Sequence, residues 1–139
     1  GSRGDGATAV ATASSSSLGQ QVVDYAKQYL GCPYVYGGNG PSSFDCSGYT
    51  SYVYRHFGYT LNRTASTQLS NGTSVSKSEL QPGDLVFFEH TFEGPWITHV
   101  GICVGDGWMI HAGSPISYIK FMDSYYSDNF VGFGRLPAP

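Results

Sequence analysis

Charge is scarce in this chain. Asp, Glu, Lys and Arg together make up 12% of 139 residues, and the formal net charge is −3. The 7 Lys and Arg residues form no cluster, which argues against nucleic acid as a partner and against electrostatic capture of an anionic polymer. No apolar run approaches the roughly 20 residues of a membrane span, so no membrane partner is expected. No secretory signal opens the chain, but Gly1-Ser2 reads as an expression scar, so its absence says nothing of destination. Cysteine is sparse as well: three residues, Cys32, Cys46 and Cys103, cannot all pair. A bridge between Cys32 and Cys103 is conceivable, but two buried thiols is the plainer reading. A metal site drawn from Cys32, Cys46, His99 and His111 lacks the close C-x-x-C or H-x-x-x-H spacing of structural zinc. No metal or other cofactor is therefore expected. Nothing signals an oligomer, so the chain is expected to be monomeric.

What is abundant is aromatic side chains, 15% of the total with 11 tyrosines, and 19 glycines. That make-up suits one β-rich domain with tight turns and a groove lined by rings. Residues 1–17 are small and polar, end in a run of serines and read as flexible linker; the domain is placed at 18–139. Such a linker suggests wall-targeting or further hydrolase domains upstream in a longer protein. Leu18, Val22, Ala26 and Leu30 form one helical stripe, stopped by Gly31 and Pro33. A second helix starts at Cys46, with Asp45 as N-cap and Tyr49, Tyr52, Val53 and Phe57 behind it. A short helix is expected at 63–69, then strands at 84–88, 97–104, 108–112, 116–119 and 131–135. Helices followed by an antiparallel sheet make the class α+β.

The chemistry centres on Cys46. In the first turn of a helix a cysteine meets the positive end of the macrodipole, which favours thiolate over thiol. A thiolate nucleophile works with an imidazole as proton carrier, and His99 and His111 fall on adjacent strands. Their relative orientation hangs on the connection at Gly105-Asp106-Gly107. A two-residue loop sends the histidines to opposite faces. A three-residue loop, which the glycine at 107 favours, sets His111 opposite Gly101. The two imidazoles then become diagonal neighbours, roughly 7–8 Å apart at Cα. On alternation, Val100 and Ile102 form the core face of their strand, and His99 with Cys103 faces the helix layer or a cleft. His56 and His90 read as ordinary exposed residues. These residues point to a cysteine hydrolase.

Six segments taken in order, Tyr34-Val35-Tyr36-Gly37-Gly38, Asp45-Cys46-Ser47-Gly48, Arg63-Thr64 with Gln68, Pro82 to Phe88, His99-Val100-Gly101-Ile102 and Ile110-His111-Ala112, resemble the successive motifs of the NlpC family of papain-like cysteine peptidases. The resemblance implies a papain-like fold, with N-terminal helices packed on a central antiparallel sheet. It implies Cys46 as nucleophile, His99 as general base and acid, and His111 as the group orienting His99. The implied substrate is the stem peptide of bacterial peptidoglycan, cut between γ-linked D-glutamate and the diamino residue that follows, by a secreted or wall-associated enzyme. Residues matching Asp45 and Ser47 would hold the free amino end of the stem, and Tyr34 would lie near the nucleophile. Arg63 either packs within the fold or meets a substrate carboxylate, and the 89–96 loop with Phe92 and Trp96 shapes a wall of the groove. Cys103 departs from the aromatic or aliphatic residue usual at its position. Competing readings are an amidase cutting between sugar and peptide, an acyltransferase on the same Cys–His chassis, a secreted toxin sharing the chemistry, and a catalytically silent wall-binding module. The intact Cys46, His99 and His111 weigh against the last.

Overall fold

The computed structural model describes residues 10–68, 71–89, 97–113, 115–121 and 130–135. Its first helix, α1, spans Val10–Ala26 and so begins inside the stretch that composition assigns to linker. Alanine favours a helix and serine tolerates one, so a stretch of small residues lacking a large apolar stripe is still compatible with a helix. Val22, Val23 and Ala26 are buried, but Leu30 is 40% exposed. A 3-10 turn at Lys27–Tyr29 tightens the helix end and takes Leu30 off the stripe.

Helix α2, Cys46–Arg55, starts where its cap predicts: the Asp45 carboxylate accepts the Gly48 N–H at 2.7 Å. Its inner face carries Tyr49 and Val53 into the core, and the Tyr49 hydroxyl donates to the Ala26 carbonyl at 2.8 Å, fastening α2 to α1. Gly48 is sterically required, since a Cβ there would collide with the Gly38 carbonyl oxygen and come within 3.0 Å of Asn39 Cα. The short helix α3, Ala65–Gln68, lies within the predicted 63–69 segment.

Six strands follow: β1 Thr73–Val75, β2 Leu85–Glu89, β3 Ile97–Gly105, β4 Trp108–Ala112, β5 Ile116–Lys120 and β6 Phe130–Arg135. They pair antiparallel in the order β1-β6-β2-β3-β4-β5. Leu85, Phe87, Val100, Ile102, Ile110 and Ala112 join the residues of α1 and α2 in the main core. Val86, Phe88, Cys103, Met109 and Phe121 form a second cluster from the alternate positions. Both faces of β2 are thus covered, which explains its unbroken apolar run. The odd-numbered face of β3 is no open cleft along its whole length, because Cys103 is sealed inside the second cluster. None of the three cysteines is in a disulfide, and Cys32 is half-buried rather than buried as the sequence suggests.

The β3–β4 hairpin follows neither simple loop. Asp106 and Gly107 make a two-residue turn with φ of 56° and 82°, and Gly105 pairs with Trp108. A register shift between Cys103 and Gly105 leaves Val104 as an extra residue, and Ile102 then pairs with Ile110. The net register is that of a three-residue loop, with His111 opposite Gly101.

Candidate active site

Position 101 shows why that register is tolerated. A Cβ on Gly101 would sit 2.6 Å from Met109 Sδ and 3.2 Å from His111 Cβ, so any larger residue would make the Met109 and His111 side chains give way. His99 Nε2 and His111 Nδ1 lie 2.7 Å apart, with the rings perpendicular and their centroids separated by 4.9 Å. Both are almost completely buried. Burial lowers the pKa of each below the ordinary imidazole value, and for His99 the neighbouring His111 adds to the effect. Both rings are therefore neutral at pH 7, and one N–H lies between them.

The Cys46 thiol, at the first residue of α2, takes a hydrogen bond from the backbone of Val100, the residue following His99. The thiol is thus held by the backbone of the residue next to His99, where the start of α2 abuts β3. Burial, and after it the Asp45 charge, pushes the thiol up to about 11, against the opposing pull of backbone bonds from Val100, Ser47 and Cys46 itself. The thiolate preference expected from the helix dipole is overturned by these two larger effects, and the resting group is a thiol.

Asp45 does more than cap. Its Oδ1 accepts from Gly48 N–H at 2.7 Å, Arg63 Nη1 at 3.2 Å and the Ser47 hydroxyl at 3.4 Å. Its Oδ2 accepts from Gly37 N–H and Arg63 Nη2, each at 3.0 Å. Arg63 Nη1 also donates to Ser47 Oγ at 2.8 Å. Of the two readings of Arg63, the structure displays the one internal to the fold. Tyr34 lies near enough to Cys46, Asp45 and Arg63 for their charges to act on its hydroxyl, although burial dominates the rise in its pKa. Tyr36, next to Gly37, is 92% exposed and near enough to Tyr34 to act on its hydroxyl. Trp96, His90 and Phe92 lie outside the described residues. His56 is exposed as expected but stacks on Tyr25, with centroids 3.9 Å apart.

Gln68 is the residue whose part was least visible in advance. Fully buried, it donates from Nε2 toward the Ser47 carbonyl at 3.0 Å, Ser51 Oγ at 3.0 Å and the Asn62 carbonyl at 2.9 Å, and accepts from the Thr50 hydroxyl at 2.6 Å. It ties α3 to the first turn of α2 and so supports the Cys46 backbone. A glutamine among polar neighbours offers no local signal for such a role. Among the described residues no three His, Cys, Asp or Glu side chains gather as ligands for a metal ion.

The family model for the NlpC/P60 family matches residues 31–135, a span that holds all of these groups. The chain belongs to the NlpC/P60 family. It is 48% identical over 116 residues to a protein of Listeria seeligeri named "Probable endopeptidase p60", covering 83% of this chain and 22% of that one. Over 119 residues it is 43% identical to the "Bifunctional muramidase/DL-endopeptidase CwlT" of Bacillus subtilis, covering 84% of this chain and 36% of that one. A crystal structure from Staphylococcus aureus, described as similar to a lipoprotein of the NLP/P60 family, superposes with a TM-score of 0.80 at 40% identity, covering 85% of this chain and 41% of that one. The chain therefore spans between about a fifth and a third of the length of these curated relatives. The NlpC/P60 relationship makes the architecture a papain-like α+β fold, in agreement with the motif order.

Proposed function

We propose that this NlpC/P60 chain is a cysteine endopeptidase of bacterial peptidoglycan, acting outside the cell or in the wall. It hydrolyses the bond between γ-linked D-glutamate and the diamino residue of the stem peptide. The observation that carries this reading is the 2.7 Å His99–His111 pair beside a helix-start thiol held by the Val100 backbone. Relatives named as endopeptidases support the reaction class.

The chemistry follows from neutral resting groups. His111 accepts the His99 Nε2–H at its Nδ1, which fixes the tautomer that offers His99 Nδ1 as the base. His99 takes the Cys46 proton as sulfur attacks the amide carbon, so the thiolate forms only during attack. The Cys46 backbone N–H, at the helix start, donates to the developing oxyanion. Protonated His99 then passes its proton to the leaving amine, and water activated by the same imidazole hydrolyses the thioester. Tyr34, Asp45, Ser47 and Arg63 form the wall on the acyl side of the scissile bond, and Trp96 is retained as a candidate substrate-binding residue.

The test is mass spectrometry of muropeptides digested with the wild-type chain and with Cys46→Ala. Fragments ending in L-alanyl-D-glutamate are expected from the wild type, with the rate in the variant lower by at least roughly 10³-fold. Release of an intact stem peptide from the sugar would move the assignment to an amidase. Binding to walls with no cleavage by either protein would favour the binding-module reading.

A further inference from the structure

The His111 side chain is set between two glycines. A Cβ on Gly101 would lie 3.2 Å from His111 Cβ, and one on Gly113 would lie 3.0 Å from His111 Nε2 and 3.2 Å from His111 Cε1. Neither glycine has a positive φ, so neither is needed for a left-handed backbone. What each supplies is room. The two are not equivalent, however. At Gly101 the first obstacle to a methyl group is Met109 Sδ, part of a flexible thioether side chain that can turn aside. At Gly113 the obstacles are the edge of the imidazole itself and, at 3.3 Å, the backbone carbonyl oxygen of Pro115. Gly113 lies just past the end of β4, two positions from His111, so alternation puts its missing Cβ on the same side as the ring. His111 is only 4% exposed and cannot back away without disturbing close-packed neighbours.

The edge that Gly113 clears bears directly on the site. Imidazole is rigid, and Cε1 is bonded to Nδ1, the atom that lies 2.7 Å from His99 Nε2. A push on the Nε2–Cε1 edge is therefore delivered to the contact between the two rings. We propose, resting on the roles given to His99 and His111 in the endopeptidase reading above, that Gly113 is a positioning residue for the imidazole pair. Its missing side chain lets His111 meet His99 at hydrogen-bonding distance and so keeps His99 aimed at Cys46. Its influence reaches the reacting atoms only through His111.

The experiment places Gly113→Ala in the wild-type chain and in His111→Asn, whose shorter side chain has no Nε2–Cε1 edge. Two rates are read. One is cleavage of L-Ala-γ-D-Glu-diamino acid-D-Ala; the other is alkylation of Cys46 by iodoacetamide at pH 7, followed by mass spectrometry of the peptide that carries it. In the wild-type chain Gly113→Ala is expected to lower kcat and the alkylation rate by about tenfold each, with KM changed by less than about threefold. In His111→Asn, where the added methyl meets no ring edge, the same substitution should change either rate by less than about threefold. Unchanged rates in Gly113→Ala, or an equal loss in both backgrounds, would overturn the inference. If the wild type cuts no stem peptide, the endopeptidase reading falls, while the alkylation rates still decide the part given to Gly113. Should Gly113→Ala fail to fold, the double variant decides: a cooperative melt regained when the ring edge is removed supports the clash, and continued failure refutes it.

Discussion

His111 touches no substrate in the proposed reaction, so its contribution has to come through His99. Two consequences separate that role from mere packing. Replacing His111 with Ala should lower kcat by about 10²- to 10⁴-fold with a much smaller change in KM, since what is lost is the tautomer and aim of the base. The pH profile should move as well. In the wild type, burial and the neighbouring His111 hold His99 below its ordinary value, so the acid limb of kcat/KM should lie below about pH 6.5. Removing His111 admits water and deletes one of the two lowering influences, so the limb should shift upward in pH. A profile of kcat/KM from pH 4 to 8 on both proteins checks this; an unmoved limb would sever the coupling between the two rings.

At the scale of elements, the site depends on how tightly the Gly37–Asn39 loop lies over the first turn of α2. Asp45 N–H donates to the Gly38 carbonyl at 2.8 Å, and Gly48 leaves that carbonyl its space. Gly48→Ala should therefore cost stability even though alanine is the better helix former; overpacking of this kind costs about 1–3 kcal/mol, read as a lowered urea midpoint. The sequence made this junction legible because cap, cysteine and glycines are local features with fixed spacing. β4 was legible residue for residue, since both its ends are marked by turns. Other features were hidden for physical reasons. β1, Thr73-Ser74-Val75, is a short edge strand with exposed Thr73 and Ser74, and no periodicity of burial announces it. The helical residues before Leu18 carry no stripe to reveal them. The placement of His111 opposite Gly101 was foreseen, but through a three-residue loop rather than a two-residue turn plus a bulged Val104. Arg63 and Gln68 are held by partners distant in sequence, which spacing alone does not disclose.

Taken whole, the molecule carries two neutral histidines inside a sheet packed on both faces, and that shapes its response to acid. In the unfolded chain each ring protonates near pH 6.5, while in the folded chain burial holds His99 to about 3 and His111 to about 4. The unfolded state thus binds more protons below pH 6.5. The stability contributed by the neutral pair is complete above that pH and is lost as pH falls toward the folded values. The slope is at most about 1.4 kcal/mol per pH unit for each ring. The melting temperature should be flat from pH 7 to 8 and fall by several degrees between pH 6 and 5, more steeply than in His111→Gln. Calorimetry across that range measures it.

The bulged Val104 also bears on how hairpins of this kind can diverge. Gly105 pairs with Trp108 and Cys103 with Met109 across a two-residue turn, so a deletion of Val104 would close the bulge and leave every pair in place, His111 opposite Gly101 included. The hairpin can thus shed its spare residue and keep its pairing. One residue added within β4 ahead of His111, unless bulged out in turn, would instead send that ring to the other face of the sheet without altering any residue of the proposed catalytic set.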